Sequence, residues 1–248
     1  MDEPRGAYPT NFGSSIPASR ISPEDQGGSG DHSPAPLGLS RSGRLRFTNG
    51  AHRIIIQADS HLRGLYRAHF GDRGPIVEAW RGIVTIQYPR FPGGDWLNDQ
   101  SERPAEVALN ASIPWDVELC GGASRLTVDL RGLRLGSLKV DGGASRLEVV
   151  LPAPSGIVTM VILGGASNVA IGRPEGVAAR LRVDGGATNL TFDDRHIGAA
   201  GGVLDLQSGD YGAATDRYDI AVTGGANNLS IDEQQGSKEE ADLDREGK

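Results

Sequence analysis

One short corner recurs along this chain and constrains its fold more than any other feature. Gly-Gly-Ala-Ser stands at 121–124, 142–145 and 164–167, Gly-Gly-Ala-Thr at 185–188 and Gly-Gly-Ala-Asn at 224–227. The first glycines lie 21, 22, 21 and 39 residues apart. The last interval is close to two periods, which predicts a degenerate copy inside it, around Gly201-Gly202. A further copy, Asn49-Gly50-Ala51-His52-Arg53, opens the patterned region. A fixed period of this length marks a stack of repeated units, each packed on its neighbours.

The flanks of the corner say what each unit is. Counting from the first glycine, or from Asn49, positions −4 and −2 are Leu45 and Phe47, Val117 and Leu119, Leu138 and Val140, Met160 and Ile162, Leu181 and Val183, Ile220 and Val222. Positions +5 and +7 are Ile54 and Ile56, Leu126 and Val128, Leu147 and Val149, Val169 and Ile171, Leu190 and Phe192, Leu229 and Ile231. Every one is apolar, and the residues between them are mostly polar or small. Apolar residues two apart line one face of a strand. A helix would need a period of 3.6 and would carry a glycine pair in every copy, at about 1 kcal/mol per glycine. Each unit is therefore a strand, a tight corner and a second strand.

One such unit cannot bury its apolar face alone. Successive units stacked at about 4.8 Å would enclose a continuous core of Leu, Val and Ile. The fold class expected is all-β: a single-domain β-solenoid, a parallel β-helix-like stack of ~21-residue units. The corner glycines Gly121, Gly122, Gly142, Gly143, Gly164, Gly165, Gly185, Gly186, Gly224 and Gly225 supply backbone angles that a Cβ forbids. Stacking also makes polar columns. Position +3 aligns Ser124, Ser145, Ser167, Thr188 and Asn227, and position +4 aligns Arg125, Arg146, Asn168, Asn189 and Asn228.

The pattern is bounded at both ends. Residues 1–43 are rich in Pro, Gly and Ser without apolar periodicity and read as a disordered arm. Residues 233–248 read as a charged, disordered tail. The repeat domain spans 44–232, irregular over 57–114 and regular over 115–232. A second irregular stretch covers 194–219, and segments such as Arg131–Gly136 suggest a short third side. The net charge of −7 argues against a general nucleic-acid binder. A single cysteine excludes a disulfide scaffold. No apolar run reaches the length of a membrane span and no secretory signal is read, so direct membrane insertion is not expected and the expected location is cytoplasmic.

These strand–Gly-Gly-Ala–strand units resemble the adhesin-like β-repeat domains of bacteria known as toastrack domains. The resemblance covers about 44–232 and is strongest over 115–232. It implies an all-β solenoid with a scaffolding or sensing role, and it brings no catalytic residues. Such domains are often tied to a membrane segment, which is not found in this sequence.

Candidate sites are few. Asp141 and Asp184 at position −1, with Asp129, Asp193 and Asp232 at +8, could line up carboxylates for Ca²⁺, but acids at strand ends are ordinary turn formers and no metal is assigned. His52, His61 and His69 lack the spacing of a zinc motif. Cys120 precedes a corner without a nucleophile signature. The corner has no following Lys-Ser/Thr and no helix, so no nucleotide cofactor is expected. The tryptophans Trp80, Trp96 and Trp115 all fall in or near the irregular stretch. The segment 91–116 offers Asp95, Trp96, Asn98, Asp99 and Trp115 as a candidate binding loop, a mixture suited to stacking on a sugar or a protein.

The expectation is a non-enzymatic scaffold or protein-interaction module, with a protein partner or self-association, no catalytic residues and no cofactor. The alternatives are a carbohydrate- or ligand-binding module using loop 91–116, or a polysaccharide-active β-helix enzyme, which would need two carboxylates across a groove.

Overall fold

The computed structural model describes residues 31–32, 37, 40–70, 75–88 and 104–234. These form strands only, nineteen of them in two sheets of ten and nine. The segments flanking each corner become the two halves of one coil. Three coils follow one another in sequence and in space: β8 (Pro114–Cys120) with β9 (Ala123–Asp129), β10 (Arg134–Asp141) with β11 (Ala144–Val150), and β12 (Ile157–Leu163) with β13 (Ala166–Pro174). The strand before the corner lies in the nine-stranded sheet and the strand after it in the ten-stranded sheet.

All twenty-four apolar positions of the repeat point between the two sheets, none more than 2% exposed. The alanine at +2 also points inward: Ala51, Ala123, Ala144, Ala166, Ala226 and Ala187 form one buried column. Positions +2 and +5 can share the inner face only if the strand gains a residue between them. The residue at +4 supplies it by taking a left-handed backbone, φ 55° at Arg125 and 53° at Arg146, and strand pairing skips it.

The coils do not stack in chain order. At one end, β2 (Gly43–Thr48) with β3 (Ala51–Asp59) packs directly on β8 and β9. The chain then moves outward through β4 (Tyr66–His69), β5 (Ile76–Trp80), β6 (Ile83–Gln87) and β7 (Ala105–Asn110). Strands β6 and β7 pair in parallel with β2 and β3 and make a further coil, whose two strands are not joined by a Gly-Gly-Ala corner in the sequence. Val84, Ile86 and Val107 fill the same inner rows. At the other end, β14 (Ala178–Val183) with β15 (Ala187–Phe192) leaves a slot beside β12 and β13, and the last coil, β18 (Arg217–Val222) with β19 (Ala226–Gln234), fills it. Units of the same outline are interchangeable neighbours, so order in space is not bound to order in sequence.

Antiparallel strands close both ends. β4 runs against β7, β5 against β6, β16 (Arg195–Ala200) against β15 and β17 (Leu204–Gln207) against β14. β1 (Asp31–His32) adds to β4. The degenerate copy expected near Gly201-Gly202 is therefore a reversed one: its corner lies against Gly186, but its two strands run the opposite way. The described residues make two sheets, with turns rather than a third sheet opposite the corners.

The corner glycines answer to two different demands. Gly121, Gly122, Gly142, Gly143, Gly164 and Gly186 have positive φ, between 77° and 133°. Gly185 and Gly224 do not, yet a Cβ would lie 2.5 Å from the Gly225 nitrogen and 2.7 Å from the Gly164 carbonyl carbon, respectively. Corner backbones bond directly to one another, as in Ala123 N–H to Gly143 O at 3.0 Å and Ala226 N–H to Gly186 O at 3.0 Å.

Candidate functional site

The inner rows are spent on the core, so chemistry is left to the two outer faces and the ends. The outer face of the nine-stranded sheet carries charges in cross-strand register. Arg46 Nε donates to Glu118 Oε2 at 2.9 Å, and Lys139 Nζ lies 3.7 Å from Glu118 and 3.6 Å from Asp141. Burial lifts the Glu118 carboxyl, but the hydrogen bond and charge of Arg46, with Lys139, outweigh it and leave the group below the usual carboxylate range. Ser137 Oγ donates to Asp116 at 2.7 Å, and Arg44 approaches the same carboxylate at 3.5 Å. Toward the far end Arg180 pairs with Asp205, and Arg182 with Asp184 at 2.8 Å.

The outer face of the ten-stranded sheet is polar and nearly uncharged where the later coils meet. Asn228 Nδ2 donates to Asn168 Oδ1 at 2.9 Å, Asn189 Nδ2 to Asn228 Oδ1 at 2.6 Å, and Thr188 Oγ1 to Asn227 Oδ1 at 2.9 Å. This amide ladder borders a shallow groove of about 290 Å³ floored by Ala170, Ser230 and Thr191.

Apolar surface gathers on the end ribbon β5–β6. Ile76, Trp80 and Ile83 are 41%, 45% and 43% exposed. The Arg81 guanidinium lies 5.3 Å from the Trp80 ring centroid. The ribbon turns on Arg81 and Gly82, both at positive φ, and β5 ends the sheet, with no described strand beyond it. The sequence analysis noted Trp80 in the irregular stretch but assigned it to no site; the signal available was its place in Glu78-Ala79-Trp80, beside a two-residue turn.

Of the candidate loop, Asp95, Trp96, Asn98 and Asp99 lie outside the described residues. Trp115 is 1% exposed, its Nε1 donates to Asn110 O at 2.8 Å, and a Cβ on Gly43 would meet its ring at 2.6 Å. It is a core residue, and this corrects its place in a binding surface. Asn110, 3% exposed, donates to Leu62 O and Gly64 O at 2.7 Å each and so pins the loop that precedes β4.

The remaining candidates are dispersed. Asp129 pairs with Arg131, Asp141 with Lys139, Asp184 with Arg182 and Asp193 with Arg173. His61 is exposed beside Asp59, His69 pairs with Glu106 across β4 and β7, and His52 stands in the +3 column. The described residues hold no group of three or more metal-ligating side chains. Burial and the neighbouring Glu118 push the Cys120 thiol up, away from the reactive thiolate. No helix of the described residues is long and apolar enough to cross a membrane.

Residues 77–172 match the N-terminal domain of toast_rack, DUF2154. The fold is similar to the crystal structure of a candidate cell adhesion protein from Clostridium sporogenes ATCC 15579, with a TM-score of 0.64 over 83% of this chain and 98% of that one, at 16% identity. Comparison with curated proteins gave no match. The repeat domain thus resembles toastrack-type, adhesin-like β-repeat domains, as its corners imply, and its fold is that of an all-β solenoid-like stack.

Proposed function

We propose that the chain is a non-enzymatic interaction module that docks a protein partner, or a second copy of itself, through the β5–β6 ribbon. The observation that carries this reading is three large apolar side chains exposed together on the terminal ribbon of a sheet, beside a strand edge without a described neighbour. Exposed strand edges are templates for pairing, and exposed aromatic residues next to arginine are the composition of interface hot spots. The similarity to an adhesion-type fold supports a binding role in general. The loop residues Asp95, Trp96, Asn98 and Asp99 remain proposed contacts for the alternative, a ligand- or glycan-binding role.

The test is light scattering coupled to size exclusion on the full chain over a hundredfold concentration range, with Trp80→Ala and Ile83→Ser as variants. A defined oligomer, or a stoichiometric complex with a copurified protein, that dissolves in both variants at unchanged melting temperature is the expected outcome. A wild-type monomer without a partner, or assembly indifferent to both substitutions, overturns the reading.

A further inference from the structure

The +4 position of the corner has a left-handed backbone in six coils. In spatial order φ is 50° at Arg53, 55° at Arg125, 53° at Arg146, 53° at Asn168, 52° at Asn228 and 52° at Asn189. Asparagine takes this backbone readily and arginine does not. Three rungs use asparagine and join their amides in a ladder; the adjoining three use arginine. Arg125 and Arg146 are exposed and make no ion pair or side-chain hydrogen bond with a described residue. They also lie on neighbouring strands in register, where like charges repel. Backbone preference, burial and pairing therefore all fail to account for them, and a ligand does.

We propose that the ridge of Arg125 and Arg146, flanked by the hydroxyls of Ser124 and Ser145, binds a linear anionic polysaccharide. The two arginines stand on adjacent strands about 4.8 Å apart, a cationic pair that an extended polymer of uronic acids can meet with carboxylates along its length. Arginine matches a carboxylate in a bidentate fork. The backbone groups here are already paired with neighbouring coils, which leaves no edge for a peptide strand to join. The ridge lies on the ten-stranded sheet and is distinct from the β5–β6 ribbon of the nine-stranded one, so either site can fail without the other.

The experiment is calorimetric titration of the full chain with polygalacturonate at low salt. The double variant Arg125→Asn/Arg146→Asn installs the residue that other coils carry at the same backbone angle, so its melting temperature should hold or rise while binding weakens at least tenfold. Arg125→Lys/Arg146→Lys should keep most of the affinity, and Arg63→Asn, at an exposed arginine away from the ridge, should keep all of it. No binding by the wild type, equal binding by the asparagine variant, or equal loss in Arg63→Asn overturns the proposal. Equal binding of the methyl-esterified polymer removes the charge argument and overturns it too. Polyglutamate bound as tightly as polygalacturonate overturns the sugar assignment in favour of acidic peptide.

Discussion

Asn228 donates its side-chain amide to Asn168 at 2.9 Å across sixty residues of chain, because the last coil occupies the slot beside β13 that chain order would give to β14 and β15. Asn189 completes the ladder from the far side. The contact joins three coils that are consecutive in space and not in sequence.

That position tests backbone and side chain separately. Asn228 has φ 52°, so Asn228→Ala loses the ladder and strains the backbone, at about 1–2 kcal/mol for the strain. Asn228→Gly loses the same amide bonds and keeps the backbone at ease. Chemical denaturation should rank the wild type above Asn228→Gly and Asn228→Gly above Asn228→Ala. An alanine variant more stable than the glycine variant would show that the left-handed backbone is not what the site demands.

Gly143 has φ 88°, and a Cβ there would lie 3.0 Å from the Gly165 oxygen. Gly143→Val should therefore cost about 2–3 kcal/mol. Lys139→Val, on the outer face four residues earlier, gives up two loose ion pairs, to Glu118 at 3.7 Å and Asp141 at 3.6 Å, and should cost about 0.5–1 kcal/mol. Thermal melts of the two variants compare these costs directly, and equal stability would sink the corner assignment.

Arg173 is 1% exposed, and its Nε and Nη1 find no hydrogen-bond partner among the described residues. Of its contacts with those residues, Nη2 makes the ion pairs, with Asp193 at 2.9 Å and Glu233 at 3.2 Å. Both carboxylates reach solvent, so they lose little without the arginine, whereas the cation is taken out of water for one satisfied amine. Arg173→Met should hold or raise stability by about 1 kcal/mol, and Asp193→Asn, which keeps a residue suited to φ 54° but strips a counter-charge, should lower it by roughly 2 kcal/mol. Denaturant midpoints that fall for Arg173→Met would mean that the pair stabilises the fold on balance.

Acid should weaken the stack. Hydrogen bonds from Arg131 and Arg180 hold Asp129 and Asp205 below the ordinary carboxylate range, and Glu118 is held there against its burial by Arg46 and Lys139. Carboxylates depressed in the folded state contribute stability that is present above their unfolded pKa, about 4, and that is lost as pH falls through the folded values. The melting temperature should hold from pH 7 to about pH 5 and drop below about pH 4, and Glu118→Gln should flatten part of that drop. A melting temperature that rises on acidification would reverse the sign assigned to these groups.

How much of this was legible beforehand varies by residue. The alternation around each corner named every inward position, because a strand has only two faces and water rejects apolar side chains from one of them. Asn168, Asn189 and Asn228 hinted at the left-handed +4 position; Arg125 and Arg146 hid it, since nothing in an arginine announces that backbone. Trp115 was read as part of a binding surface and is buried, while Trp80 was assigned to no site and is exposed; what separates core from surface is the Gly43 backbone that leaves room for the Trp115 ring and the absence of a described strand beyond β5.

The sequence by itself determined the repeating element: a strand, a glycine corner, a second strand, and the rows that face inward. These follow from local sterics and from a period of two, which every copy states independently. Only the tertiary structure decided which coil sits beside which, that the last coil closes a gap left by an earlier one, and that the end strands run in reverse. The coils share one outline and one set of columns, so local chemistry hardly distinguishes one neighbour from another. That choice falls to contacts between distant segments, such as Asn228 with Asn168 and Thr188 with Asn227, together with the antiparallel strands that end each sheet.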